Sequence, residues 1–288
     1  MKIIGHEKQI EFLRQSAKLN KLSHAYLFSG QDKLGKKTIA FEWACLITGQ
    51  PFKKQNPGFI LIEPKDKTIQ ISQIRDLIWN LSLKSSFISP KIAIIDKAHL
   101  MGIDAQHALL KTLEEPKGDS VIILITEKPE LLFPTIRSRC EVIKFYPIEK
   151  DKIKKYLKKQ EFSQKEIEEI AEFSRGRPGQ AIEFVLNPEK LEKQRKIVKG
   201  FKTILTSSLV QRFQLAKELS QQDNLKETLE IWLNFLRNYL IEQIKSGNNL
   251  EYINKTKSNL NLLQKINFLI SSTNINTKLA LETLLINV

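Results

Sequence analysis

Five short aliphatic runs in the first half of this 288-residue chain limit what it can fold into. They fall at residues 25–28, 59–62, 92–95, 121–125 and 142–145. Three of them are almost wholly aliphatic, the pattern of strands covered by helices on both faces. Between them the apolar period lengthens to that of helices, over 36–46, 72–83 and 104–115. Ser72 and Asp104 are the expected N-caps there, and Pro116 is the stop after Glu115. Strand–helix–strand alternation of this kind predicts an α/β fold built on an open, mostly parallel sheet with right-handed crossovers.

From about Glu149 the strand pattern ceases. Residues 151–159, 164–173 and 179–186 read as three short helices, with Gly176-Arg177-Pro178-Gly179 as the turn before the third. From Pro188 onward the helices are longer. Leu225, Leu229, Trp232, Leu233, Leu236 and Leu240 form one apolar stripe at helical spacing, best read as helix packing. Ser246-Gly247-Asn248-Asn249 reads as a loop between helices. The expected divisions are therefore 1–148, 149–187 and 188–288.

Hydrophobic content of 41% and charged content of 27% fit a globular, water-soluble chain. No apolar run approaches the roughly 18 residues of a membrane helix, so no membrane association is expected. The segment Met1–His6 lacks the apolar stretch of a signal peptide. The only cysteines, Cys45 and Cys140, have no CxxC spacing. That excludes a four-cysteine zinc module from this chain alone and fits a reducing cytoplasm. The net charge of +14 invites a nucleic-acid reading. However, 37 of the 46 basic residues are lysines, as a genome-wide bias would produce. Residues 1–150 and 151–288 each carry 23 basic and 16 acidic residues, so neither half stands out as a DNA-binding domain.

Gly30-Gln31-Asp32-Lys33-Leu34-Gly35-Lys36-Lys37-Thr38 follows the first strand and opens a helix, the context of a phosphate-binding loop. Backbone N–H groups there can cradle phosphate, and Lys36 can reach the β- and γ-phosphates. The next residue should carry the hydroxyl that holds Mg²⁺, but it is Lys37. Thr38 comes one position late, rotated about 100° around the helix. The glycines of such a turn also have a purely structural explanation. Asp96, at the end of the third run, has the form of a metal-side carboxylate. It is followed by Lys97, where a hydrolytic ATPase usually places a glutamate to orient water. Both departures add positive charge, and together they point to lost hydrolysis. His99 reads as a polar residue at the strand end. His6, His24 and His107 show no metal-ligand spacing with it.

Before the fifth strand stands Ile136-Arg137-Ser138-Arg139-Cys140. An arginine at a domain edge can offer its planar fork to a phosphate bound elsewhere. A salt-bridged surface arginine is the alternative.

Several segments, in this order, resemble the δ′ subunits of the bacterial DNA polymerase III clamp loader, within the AAA+ clamp-loader group that also holds γ/τ and replication factor C subunits. They are Ile4-Gly5-His6, 22–30 (LSHAYLFSG), 69–75 (IQISQIR), 108–116 (ALLKTLEEP), 136–140 (IRSRC) and, near the end, 274–282 (NINTKLALE). The resemblance implies a RecA-like AAA+ domain, a small helical lid, and an all-α collar that joins subunits in a ring. It implies γ/τ and δ subunits as partners, with the sliding clamp and primed DNA met through the complex. It makes Arg139 the arginine finger acting in trans on ATP in a neighbouring γ/τ subunit, with Ser138 and Cys140 supporting the motif.

Gly30, Gly35, Lys36, Thr38 and Asp96 then form a degenerate nucleotide site, needing no cofactor and holding ATP or ADP weakly at most. Several features depart from the family pattern. One cysteine, Cys45, stands where many relatives carry a zinc module, so no zinc is expected. Asn56-Pro57-Gly58 replaces a common His-Pro-Asp, Lys33 replaces a glycine, and Gly179 occupies the sensor-arginine position, with Arg177 two residues earlier. The rival readings are an active γ-like ATPase subunit and a DNA-binding module on a vestigial nucleotide fold.

Overall fold

The computed structural model describes residues 3–51, 58–83, 90–116, 119–222, 224–247, 249–273 and 275–287. Residues 52–57 of the segment after Cys45, with Asn56 and Pro57 of the departing motif, Asn248 of the expected loop, Asn274 of the closing motif, and Met1 and Lys2 lie outside them.

The chain separates into two units, 1–186 and 187–288. The first is built on strands β1 (Ala25–Ser29), β2 (Phe59–Ile62), β3 (Lys91–Ile95), β4 (Ser120–Thr126) and β5 (Glu141–Lys144). All pair in parallel, in the order β2-β3-β4-β1-β5. The observed strands match the five aliphatic runs to within a residue at each end.

Side-chain alternation divides the sheet's two faces. Ala25, Leu27, Ala93, Ile95, Ile122 and Leu124 point to one face. There they meet Ile74, Leu77 and Leu81 of α3 (Ile71–Ser82) and Ala105, Leu109 and Leu113 of α4 (Ile103–Glu114). Tyr26, Phe28, Ile92, Ile94, Val121, Ile123 and Ile125 point to the other. That face packs Leu13 of α1 (Glu7–Lys18) and Ile39, Ala40, Trp43 and Ala44 of α2 (Lys36–Thr48). Strands covered on both sides must be apolar at every position, which is why these runs are continuous.

Two local expectations are corrected. The N-cap of α3 is Gln70, which closes a capping box with Gln73, and not Ser72. The N-cap of α4 is Gly102, with Asp104 inside the first turn, where its charge still suits the helix dipole. Helix α1 and the five-residue α5 (Pro134–Ser138), which carries Arg137 and Ser138, were not among the expected elements.

The first unit continues with α6 (Lys150–Leu157), α7 (Gln164–Ser174) and α8 (Pro178–Leu186). Ser163 caps α7 through a capping box with Glu166. The second unit is all α: α9 (Pro188–Thr206), α10 (Leu209–Ser220), α11 (Leu225–Lys245), α12 (Leu250–Ser272) and α13 (Thr277–Asn287). Its core joins Phe201, Leu229, Trp232, Leu236, Leu263 and Leu281, so the stripe at helical spacing is helix packing. Among the described residues no helix is long and apolar enough to cross a membrane.

Leu124 is fully buried on the central strand β4. Leu124→Ala should cost about 2–5 kcal/mol in urea denaturation of the full chain.

Candidate functional site

Because the strands are parallel, the loops after β1, β3 and β4 emerge at one edge of the sheet and enclose a cleft of about 260 Å³. Gly35, Lys36, Thr38 and Asp96 line it, together with Lys37, Lys97, His99, Thr126 and Gly179. Arg139, Ser138 and Cys140 do not. The cleft is small beside the roughly 300–1,000 Å³ of typical ligand pockets.

The loop's glycines follow from the fold itself. Gly30 has φ 146°, and a Cβ there would stand 2.3 Å from the Phe145 carbonyl oxygen. Gly35 is the left-handed N-cap of α2. From below, the loop rests on His6, whose Nε2 donates to the Leu34 carbonyl at 2.9 Å and whose ring meets Phe145 edge-on. Burial lowers the His6 pKa and keeps the ring neutral. The Ile4-Gly5-His6 segment is thus a buttress of the loop.

Each of the loop's three lysines is already engaged. Lys36 is 6% exposed and donates to the carbonyls of Gly30, at 2.5 Å, and Gln31. Burial pulls its pKa down, against the charges of Asp32, Glu127 and Asp96. Lys37 Nζ lies 2.9 Å from Asp96 Oδ2 and 2.6 Å from Glu63 Oε1. Burial alone would lower its pKa, but hydrogen bonds to the two carboxylates and their charge raise it overall. Lys33 reaches α8, where it pairs with Glu183 and donates to Gln180 Oε1 at 3.1 Å.

The fold type implies a magnesium nucleotide here. The donor set fits the metal poorly: an ammonium sits on Asp96, the acid at the end of β3, and the residue after Lys36 is Lys37 and not a hydroxyl side chain. Gly179 N–H donates to the Lys33 carbonyl at 2.8 Å, and a Cβ at 179 would come within 2.8 Å of that oxygen. The close approach of α8 therefore excludes any side chain at that position, an arginine included. Arg177 turns back, donating from Nε to the Ser174 carbonyl at 3.4 Å.

His99 is buried, with Nδ1 3.1 Å from Thr126 Oγ1 and Nε2 3.5 Å from Glu127 Oε1. Burial lowers its pKa. Glu63, Thr126 and Glu183 are site residues that the sequence reading did not single out. The polar ends of β2 and β4 were the available signal for Glu63 and Thr126. Glu183, 150 residues from its lysine partner, had none.

Arg139 sits at the opposite edge. It caps α5 just before β5, whose first residue, Glu141, is in register with Tyr26 near the start of β1. A strand of five residues spans about 16 Å, so the Arg139 end of the sheet lies about one strand length from the phosphate loop that follows β1. It pairs with Glu114 at 2.8 Å and donates to the Thr135 carbonyl at 3.1 Å. Ser138 Oγ donates to the same carbonyl at 3.1 Å. Cys140 packs against the core beside α4, and burial pushes its thiol up to about 12.

A family model described as DNA polymerase III, delta subunit, matches residues 5–149. The chain belongs to this family. The δ′ subunit of Bacillus subtilis is 31% identical over 68% of this chain and 64% of its own length. That of Pseudomonas aeruginosa is 34% identical over 41% of this chain and 42% of its own. The chain thus spans less than two thirds of either δ′ relative. The γ subunit of Buchnera aphidicola from Schizaphis graminum is 28% identical over 78% of this chain and 68% of its own length.

Among solved structures, a γ subunit-related protein of Thermotoga maritima aligns over 96% of this chain and 97% of its own, with TM-score 0.56 and 21% identity. RuvB of the same organism aligns over 69% of this chain and 64% of its own, with TM-score 0.50 and 20% identity. These likenesses establish the fold: a parallel-sheet α/β domain, with an all-α region after it.

With its pKa near 12, Cys140 holds only a trace of thiolate at pH 8. Iodoacetamide should alkylate it at least about tenfold more slowly than an exposed peptide cysteine. Equal rates would show that the segment around Arg139 opens freely.

Proposed function

We propose that this chain is a δ′-like subunit of a replicative clamp loader that takes part in ATP chemistry through a neighbour. The complex would use ATP in γ/τ subunits to open a sliding clamp and place it on primed DNA. The δ subunit would complete the ring, and residues 188–288 would serve as the collar. Family membership and the δ′, γ and τ relatives support the clamp-loader role.

One observation carries the finer reading. Arg139 lies across the sheet from its own phosphate loop, so any phosphate it serves belongs to another chain. Its bond to Glu114 joins two side chains with exposures of 35% and 49%. Such a pair is worth about 0–1 kcal/mol, so a γ-phosphate can readily displace the carboxylate. A guanidinium supplied in trans is worth about 10³–10⁵ in turnover where it has been measured in phosphoryl transfer.

Absence of hydrolysis in the chain's own cleft is supported by Lys37 on Asp96, by Lys97 in the place of a water-orienting acid, and by a lid too close for a side chain at 179. The γ-like reading rests on the breadth of the γ similarity. It requires Mg²⁺-dependent turnover by the isolated chain, and we expect none.

In a reconstituted loader stimulated by clamp and primed DNA, Arg139→Ala should lower ATP turnover at least tenfold while the complex still assembles. Lys36→Ala should leave turnover within about twofold, because Lys36 is spent on its own loop. Equal effects, or the reverse order, would contradict this division of labour. The isolated chain should bind primed DNA weakly, so tight and steeply salt-dependent binding would favour a DNA-binding module.

A further inference from the structure

We infer that Lys37 is a resident cation standing in place of the divalent metal, so that the cleft excludes Mg²⁺ whether or not a nucleotide enters. The inference rests on reading the cleft as a lapsed nucleotide site, and it explains what now holds that site together. A phosphate loop of this kind places a hydroxyl at the residue after its lysine, next to a metal supported by the acid at the end of the neighbouring strand. Here the acid is present and the hydroxyl is not. The side chain that replaces the hydroxyl reaches across to the acid, with Lys37 Nζ 2.9 Å from Asp96 Oδ2, and onward to Glu63 Oε1 at 2.6 Å.

One ammonium therefore ties the first turn of α2 to the ends of β3 and β2. Its surroundings suit the role. Asp96 is largely buried, with 15% of its side chain exposed, and its other carboxylate oxygen accepts the Lys97 N–H at 3.0 Å. Gln73 of α3 donates to the Glu63 carbonyl at 2.8 Å and holds that end of β2 in place. The Lys37 stem passes Phe41, with the ammonium 5.8 Å from the ring centroid.

A buried carboxylate needs a counter-charge. In a working site the metal supplies it, and it comes and goes with the nucleotide at each turnover. In this chain the counter-charge is covalent and permanent. A divalent ion could enter only by displacing an ammonium tethered to the same loop, and the displaced charge would remain beside it.

The test is thermal unfolding of the full chain in millimolar MgCl₂ and in NaCl of matched ionic strength. It compares wild type, Asp96→Asn, Lys37→Thr, Lys37→Arg and Lys37→Thr with Asp96→Asn. Lys37→Thr restores the hydroxyl and vacates the acid. Mg²⁺ should raise its midpoint by about 2–4 °C, as expected for about tenfold excess over the dissociation constant. Mg²⁺ should leave wild type, Lys37→Arg and the double variant unchanged.

An Asp96-dependent Mg²⁺ shift in wild type would overturn the inference, and so would indifference of a folded Lys37→Thr. If Lys37→Thr fails to fold, Mn²⁺ titration followed by electron paramagnetic resonance decides on wild type and Asp96→Asn alone. No bound Mn²⁺ in either supports the inference, and Mn²⁺ bound by wild type and lost in Asp96→Asn sinks it. None of these readouts involves Arg139, so failure here leaves the trans role standing, and failure of that role leaves the metal substitution standing.

Discussion

Parallel pairing of all five strands is the constraint on which the rest depends. It sends the turns after β1, β2, β3 and β4 to one edge, which gathers Lys36, Lys37, Glu63, Asp96 and Thr126 around one cleft. The same constraint sends the residues that precede β5 to the other edge, beside the end of α4, where Arg139 meets Glu114. A cleft and an arginine on opposite edges of one sheet cannot serve each other within a chain. They can serve each other between chains, and the proposed division of labour follows from that geometry.

On the proposed reading the cleft is a lapsed phosphate site whose charged side chains are engaged with the protein itself. Lys36 closes the loop on its own carbonyls, Lys37 bridges the acids at the ends of β2 and β3, and Lys33 fastens α8. Two of these ties involve buried or half-buried carboxylates, where opposite charge matters most because desolvation would otherwise go uncompensated. Two glycines of the cleft region, Gly30 in the loop and Gly179 in α8, have structural causes as well. At Gly30 the limit is the carbonyl of Phe145, and at Gly179 it is the carbonyl of Lys33.

The inner strands β1, β3 and β4 were legible because burial on two faces leaves a direct mark, a continuous apolar run, whereas the edge strand β5 buries only Ile143. The three short helices α6, α7 and α8 were legible from their 3.6-residue period and the turn at Gly176. Helix starts were less so. Ser72 and Asp104 are good capping residues by type, but Gln70 and Gly102 took the role because tertiary contacts set where each helix begins.

At the site, the missing hydroxyl at position 37 and the missing acid at 97 could be read from residue type. That the Lys37 ammonium bridges two carboxylates could not, because it depends on the spacing of strand ends that are far apart in the chain. Lys33 and Glu183 are further apart still, with no local pattern to connect them. The placement of Arg139 opposite its own loop follows from strand direction, which residue types indicate only through the order of helices and strands.

The central claim, that Arg139 completes an ATP site on a neighbour, is tested most directly by counting competent sites. Rapid-quench measurement of the first turnover in a reconstituted loader gives the burst amplitude per complex. With Arg139→Ala the amplitude should fall by one site's worth, and the isolated chain should show no burst. An unchanged amplitude and rate would make Arg139 a structural residue and this chain a passive member of the ring.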